Sequence, residues 1–136
     1  MKPFNKEEYN RMCAEFMGLV EAKPYKTAYT TNNSTNLPAS FLELVHSEME
    51  GESWYVYPKF DTDWNWIMEV VDKIESLGYY TNILSADNDS KRHTMHIVEV
   101  HKSEEYTEFI DSKKEAVVQA IWVFLNWYNQ QQPKKD

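Results

Sequence analysis

Apolar residues recur at helical spacing in three segments of the chain. After Asn5, the residues Tyr9, Met12, Cys13, Phe16 and Val20 fall every three or four positions. This spacing predicts an amphipathic helix from Lys6, with Asn5 as its N-cap and Glu7 and Glu8 in the first turn, where the helix dipole favours acids. Ile67, Val70, Val71, Ile74 and Leu77 form a second stripe. Asp61-Thr62-Asp63 precedes it, so Thr62 or Asp63 supplies the cap, and Gly78 is a fitting C′ residue. Val117, Ala120, Ile121, Phe124 and Tyr128 form a third, widened by Leu125 and Trp127 and capped by Ser112. Residues 64–77 and 113–129 are the firmest helices expected. The expected core is Phe16, Ile67, Val70, Val71, Ile74, Leu77, Val117, Ala120, Ile121 and Phe124.

Strand patterns lie between these stripes. Trp54-Tyr55-Val56-Tyr57 is aromatic and β-branched, and Pro58 ends it or places it on an edge. Tyr79 to Leu84 and Thr94 to Val100 read as a hairpin with a long polar tip over Ser85 to Arg92. Pro38 can open a short helix through Phe41, Leu44, Val45 and Met49, closed by Gly51. Residues 23–37, rich in Thr, Asn and Ser, read as a loop or insertion, and residues 130–136 as a frayed polar tail. Glu104, Glu105 and Glu108 read as a solvated link. The order predicts one domain over residues 1–136. Its expected class is α+β, a helix–sheet–helix (α/β/α) sandwich with a small, mainly antiparallel sheet.

Composition narrows the function classes. The 136 residues carry 14 Lys+Arg against 22 Asp+Glu, a formal net charge of −8. Residues 1–60 hold 6 basic and 8 acidic side chains, residues 61–136 hold 8 and 14, so neither half is a basic arm. Duplex nucleic acid is therefore not an expected partner, because such binding draws its affinity from Lys and Arg on phosphates. The single cysteine, Cys13, has no internal partner, MKPFNKEEYN lacks the apolar core of a secretory leader, and no run of about 18 apolar residues occurs. A cytoplasmic chain with no membrane association is the expectation.

The residues of catalysis and metal binding do not form recognisable constellations. His93 and His96 are three apart, which on a strand places them on opposite faces. His93 and His101 share a face but lie roughly 26 Å apart along it. His46 pairs with Glu50 if the segment is helical. No metal and no cofactor is expected. Asp61 and Asp63 are explained by capping, and Cys13 by burial on the first stripe. With 3 glycines, at positions 18, 51 and 78, neither a dinucleotide fingerprint nor a P-loop can be written, and no nucleophile-elbow sequence is present. The feature above background is aromatic: Trp54, Tyr55, Tyr57, Phe60, Trp64 and Trp66 fall within thirteen residues. Residues two apart on a helix differ by about 200°, so Trp64 and Trp66 cannot share one narrow stripe. Ordinary packing accounts for part of the cluster. The remainder marks a binding surface, expected at Trp54, Tyr55, Tyr57 and Trp66, with Lys59, Lys91 and Arg92 as its cations.

Thr62 to Gly78, with the run Asp63-Trp64-Asn65-Trp66-Ile67, resembles the signature of small phage and prophage proteins of the phage ABA-sandwich type. Ser112 to Asn129 resembles their C-terminal helix, and Ala14-Glu15-Phe16-Met17-Gly18 their opening helix. The resemblance covers roughly the last 80 residues well and the first 20 loosely, and residues 21–53 have no counterpart. It implies a helix-sheet-helix sandwich encoded by a bacteriophage and acting in the host cytoplasm. It implies no catalytic residues, because the family has no established activity. The expected function is a non-enzymatic binding module, a homodimer or small homo-oligomer, in counter-defence. Its target is a host protein or a small nucleotide-like signal. The alternatives are a structural or assembly component of the virion, and an enzyme built from scattered residues such as Asp61, Asp63, His93 and His96.

Overall fold

A computed structural model describes residues 3–21, 29–30, 38, 41, 43–47, 51–86, 89–99, 103–105 and 112–131. The three periodic stripes fold as helices, α1 (Lys6–Phe16), α2 (Trp64–Ser76) and α3 (Lys113–Gln131), except that Val20 of the first stripe lies beyond α1 on a strand and is exposed. Their caps are built from short polar side chains. The Asn5 side chain accepts from the Glu8 amide, the Asp63 side chain from the Asn65 amide, and Ser112 Oγ from the Glu115 amide. Of the two N-cap candidates for α2, Asp63 serves. The C-terminus of α1 closes in a Schellman arrangement, with the Leu19 amide donating to the Ala14 carbonyl and the Gly18 amide to the Glu15 carbonyl. Gly18 (φ 85°) and Gly78 (φ 100°) take the left-handed conformation these helix ends require.

The strands, in chain order, are β1 (Val20–Glu21), β2 (Tyr29–Thr30), β3 (Glu43–Ser47), β4 (Gly51–Tyr55), β5 (Tyr79–Ala86), β6 (Asp89–Glu99) and β7 (Ser103–Glu105). They pair antiparallel as β1-β2, β3-β4 and β5-β6-β7. A bridge between Tyr29 and Val56 ties the first pair to the end of the second. The fold is an α+β sandwich in which helices layer on small antiparallel sheets. Register assigns the faces of the largest sheet. Tyr79, Thr81 and Ile83 of β5 share a face with Met95 and Ile97 of β6. This is the helix-bearing face: Met95 and Ile97 are buried, and Tyr79 stands edge-on to Phe124 of α3 at 4.9 Å.

Several expectations change. β3 and β4 pair antiparallel, Leu44 opposite Trp54 and His46 opposite Glu52, where the sequence predicts a Pro38–Gly51 helix; Met49 lies outside the described residues. Phe41, Leu44 and Val45 are too short a run for periodicity to separate helix from strand, and pairing with the aromatic strand decides the outcome. His46 lies on β3, and Glu50, its expected partner, lies outside the described residues. Tyr29 and Thr30, inside the expected 23–37 loop, form β2, and Glu104 and Glu105, inside the expected link, lie on β7. β5 and β6 both run into the polar segment expected as a long tip, with a register shift at Ser85/Ala86; residues 87 and 88 lie outside the described residues. α3 continues to Gln131, into the expected tail; residues 132–136 lie outside the described residues, as does Val100.

The core gathers residues from every helix. Ile67, Val70, Ile74, Val117, Ile121 and Leu125 are fully buried, with Tyr9, Met17, Phe60 and Trp122 the largest side chains among them. Leu77 is 43% exposed, contrary to the stripe that included it. It is the C-cap residue, where the chain turns off the helix axis toward Gly78 and β5. Phe16 is half-buried, edge-on to Phe124 and Tyr128. Lys73 of α2 donates from Nζ to the Phe16 carbonyl and lies 4.9 Å over the Phe16 ring, closing the end of α1 with a cation.

Candidate functional site

The turn before α2 is fastened to α1 by side chains one helical position apart. Tyr9, fully buried, donates its hydroxyl to the Phe60 carbonyl at 3.0 Å. Asn10 accepts from the Phe60 amide at 2.9 Å through Oδ1 and donates to Asp61 Oδ1 at 3.0 Å through Nδ2. Lys6 Nζ lies 3.7 Å from the other Asp61 oxygen. The last two residues before this turn, Tyr57 and Pro58, are thereby held beside the first two turns of α1.

Between them lies a cleft of about 790 Å³. Tyr29, Tyr57 and Pro58 line one part of it, and Lys6, Glu7, Glu8, Asn10 and Arg11 line it from α1. Its charges are balanced, and both cations are engaged. Arg11 reaches Glu8 at 3.7 Å and Glu15 at 3.5 Å, and Lys6 reaches Asp61. Burial raises the pKa of the Tyr29 hydroxyl, and the charges of Glu15 and Glu21 add to the shift. Tyr29 is therefore a neutral hydrogen-bonding wall at physiological pH.

The structure divides the expected surface. Tyr57 lines the cleft, and Lys59 is exposed two residues along the chain. Trp66 is in the core, 4% exposed, stacked on Phe41 at 4.5 Å and edge-on to Phe60 at 5.0 Å. Of Trp64 and Trp66, only Trp66 stands four residues before Val70, so the geometry that separates the two rings sends Trp66 inward. Trp64 stays on the rim, with Lys114 Nζ 5.9 Å from its centroid. Trp54 and Tyr55 are on β4 and Lys91 and Arg92 on β6, but their side chains lie outside the described residues. The six lining residues supplied by α1 and β2 carried no sequence signal as a group. Their shared wall depends on Asn10 meeting Phe60, a contact between residues 50 apart.

The groups of the scattered-residue enzyme reading have structural employment or stand apart. Asp61 fastens α1, Asp63 caps α2, and His93 and His96 alternate across β6. Cys13 is fully buried, and burial pushes its thiol well above the ordinary value. A thiolate nucleophile needs the opposite setting. Among the described residues, no group of three or more His, Cys, Asp or Glu could hold a metal, and no helix is long and apolar enough to cross a membrane. Compared with family models, with curated proteins and with solved structures, the chain matches none of them.

Proposed function

We propose that this chain is a non-enzymatic binding module, phage-encoded as the resemblance implies, that takes a segment of a host protein into the cleft between α1 and Tyr57-Pro58. The observation that carries the reading is the lining: two tyrosines together with two cations and two carboxylates of α1, Lys6, Glu7, Glu8 and Arg11. Tyrosine offers a large, stiff contact area with a polar end, and such rings are enriched where proteins meet. A lining of both signs suits a polypeptide of mixed charge. It suits a nucleotide-like signal poorly. Phosphates call for uncommitted cations, whereas Lys6 and Arg11 each face a carboxylate. Glu7 and Glu8 also occupy the end of α1 where an anion would otherwise be favoured.

Native mass spectrometry of the protein incubated with host extract tests this reading. The parent is expected to retain a protein partner, and a Tyr57→Ala variant of unchanged circular dichroism to lose it. Retention of a small anionic ligand would favour the nucleotide alternative. Equal retention by parent and variant would place the binding elsewhere on the molecule.

A further inference from the structure

The two edges of the three-stranded sheet differ in kind. At one edge β7 is three residues long and carries Glu104 and Glu105. At the other, β5 is eight residues long, YYTNILSA, without a charge or a proline. Among the described residues no strand pairs with its outer side. Short length, charge and proline are the usual means of keeping a sheet edge from pairing with another chain. β7 has two of them and β5 has none. β5 also presents Tyr80 (64% exposed), Ile83 (40%) and Leu84 (41%).

We propose that β5 is the contact between two copies of this chain, joined antiparallel about a two-fold axis that passes through Asn82 perpendicular to the sheet. Such an axis leaves each side chain on its own face, so it must pair residues of equal parity. Centred on Asn82, it sets Tyr80 opposite Leu84 of the second copy, and Thr81 opposite Ile83. The two most exposed apolar residues of β5 on the face away from Met95 thus cover each other twice. Centring on Thr81 or Ile83 would instead set Tyr80 against Asn82 or Ala86. Charge selects the edge as well: each copy carries a net −8. A β5 contact opposes no charged residues of that strand, whereas a β7 contact would bring glutamates together. The two three-stranded sheets become one sheet of six strands. The contact differs from the 54–66 aromatics expected from sequence and is separate from the cleft.

Sedimentation equilibrium of the full chain, with three variants, tests this. The parent is expected to be a dimer. Tyr80→Lys, at an exposed position, should weaken dimerisation by about tenfold or more with unchanged circular dichroism. Register is read by oxidation. Asn82→Cys faces its own copy at about 4.5–5.5 Å between Cβ atoms and should form a covalent dimer. Tyr80→Cys lies four residues, roughly 13 Å, from its copy and should not. The native Cys13 is buried and does not compete. A monomeric parent, a dimer indifferent to Tyr80→Lys, or cross-linking at position 80 in preference to 82 would each overturn the proposal. The last two would show a different register or a different surface.

Discussion

Asn10 joins two segments fifty residues apart with one amide, accepting from Phe60 and donating to Asp61. Replacing it with alanine leaves the Phe60 amide without its acceptor, at a cost of about 1–3 kcal/mol. Urea denaturation of Asn10→Ala should show that loss. A value near zero would mean that water replaces the amide and that Tyr9 and Lys6 suffice to hold the turn. Cys13 and Tyr9 make a second prediction at this scale. Burial raises both pKa values in the folded chain; Cys13 raises that of Tyr9 further, while the hydrogen bond with Tyr9 offsets part of the rise at Cys13. The unfolded thiol ionises near its ordinary value of 9.0, while the folded thiol stays protonated. Above that pH the unfolded state binds fewer protons, so stability is fully present below pH 9 and falls as pH rises. Each such group contributes a slope of about 1.4 kcal/mol per pH unit. Lys73, whose pKa burial lowers, acts in the opposite sense up to 10.5. Cys13→Ala should move the onset of alkaline unfolding upward, toward the tyrosine range. An unchanged onset would show that Cys13 is not the first group to respond.

At the scale of elements, the helices were legible because their signals are local. Asn5, Asp63 and Ser112 cap within three residues of themselves, and the stripes of α2 and α3 repeat through several turns. Ile74 and Phe124 sit at the centre of those stripes, 0% and 2% exposed. Ile74→Ala or Phe124→Ala should destabilise by about 2–5 kcal/mol, read by denaturation. A loss below about 1 kcal/mol at both would contradict their burial. Gly78 tests the end of α2 separately. Nothing lies within 4 Å of where a Cβ would stand, yet its φ is +100°. Gly78→Ala should therefore cost about 1–2 kcal/mol through backbone conformation alone. The β3-β4 pairing was not legible for the converse reason. Leu44 and Val45 acquire strand character from Trp54 and Ser53 opposite them, and no residue within the segment announces that partner. Leu77 illustrates the limit of periodicity: the stripe continues in sequence after the helix has stopped.

For the whole molecule, the aromatic excess was visible in sequence and its placement was not. Tyr57 and Trp66 belong to one cluster of six rings, but one lines a cleft and the other stacks on Phe41 in the core. Tyr57 shares its cleft with Tyr29 and Trp66 stacks on Phe41, residues that no spacing rule connects to them. The cleft itself exists because α1 is fastened to residues 60–61, so its lining residues could be named only once that fastening was seen. The edge of β5 was half legible: a neutral strand could be read from residues 79–84, but its place at the end of a sheet depends on β6 turning back and β7 pairing on the far side.

Entry of a protein partner into the cleft beside Tyr57 would be caught by photo-crosslinking in host cells, with a benzophenone side chain placed singly at Tyr57, Tyr80 and Asn129. Position 57 is predicted to yield an adduct with a host protein. Position 80 should yield only a doubled mass of the chain itself, and position 129, exposed on the last turns of α3, neither. The same host adduct at 57 and 129, or none at 57 in cells where the chain is folded, would contradict the account.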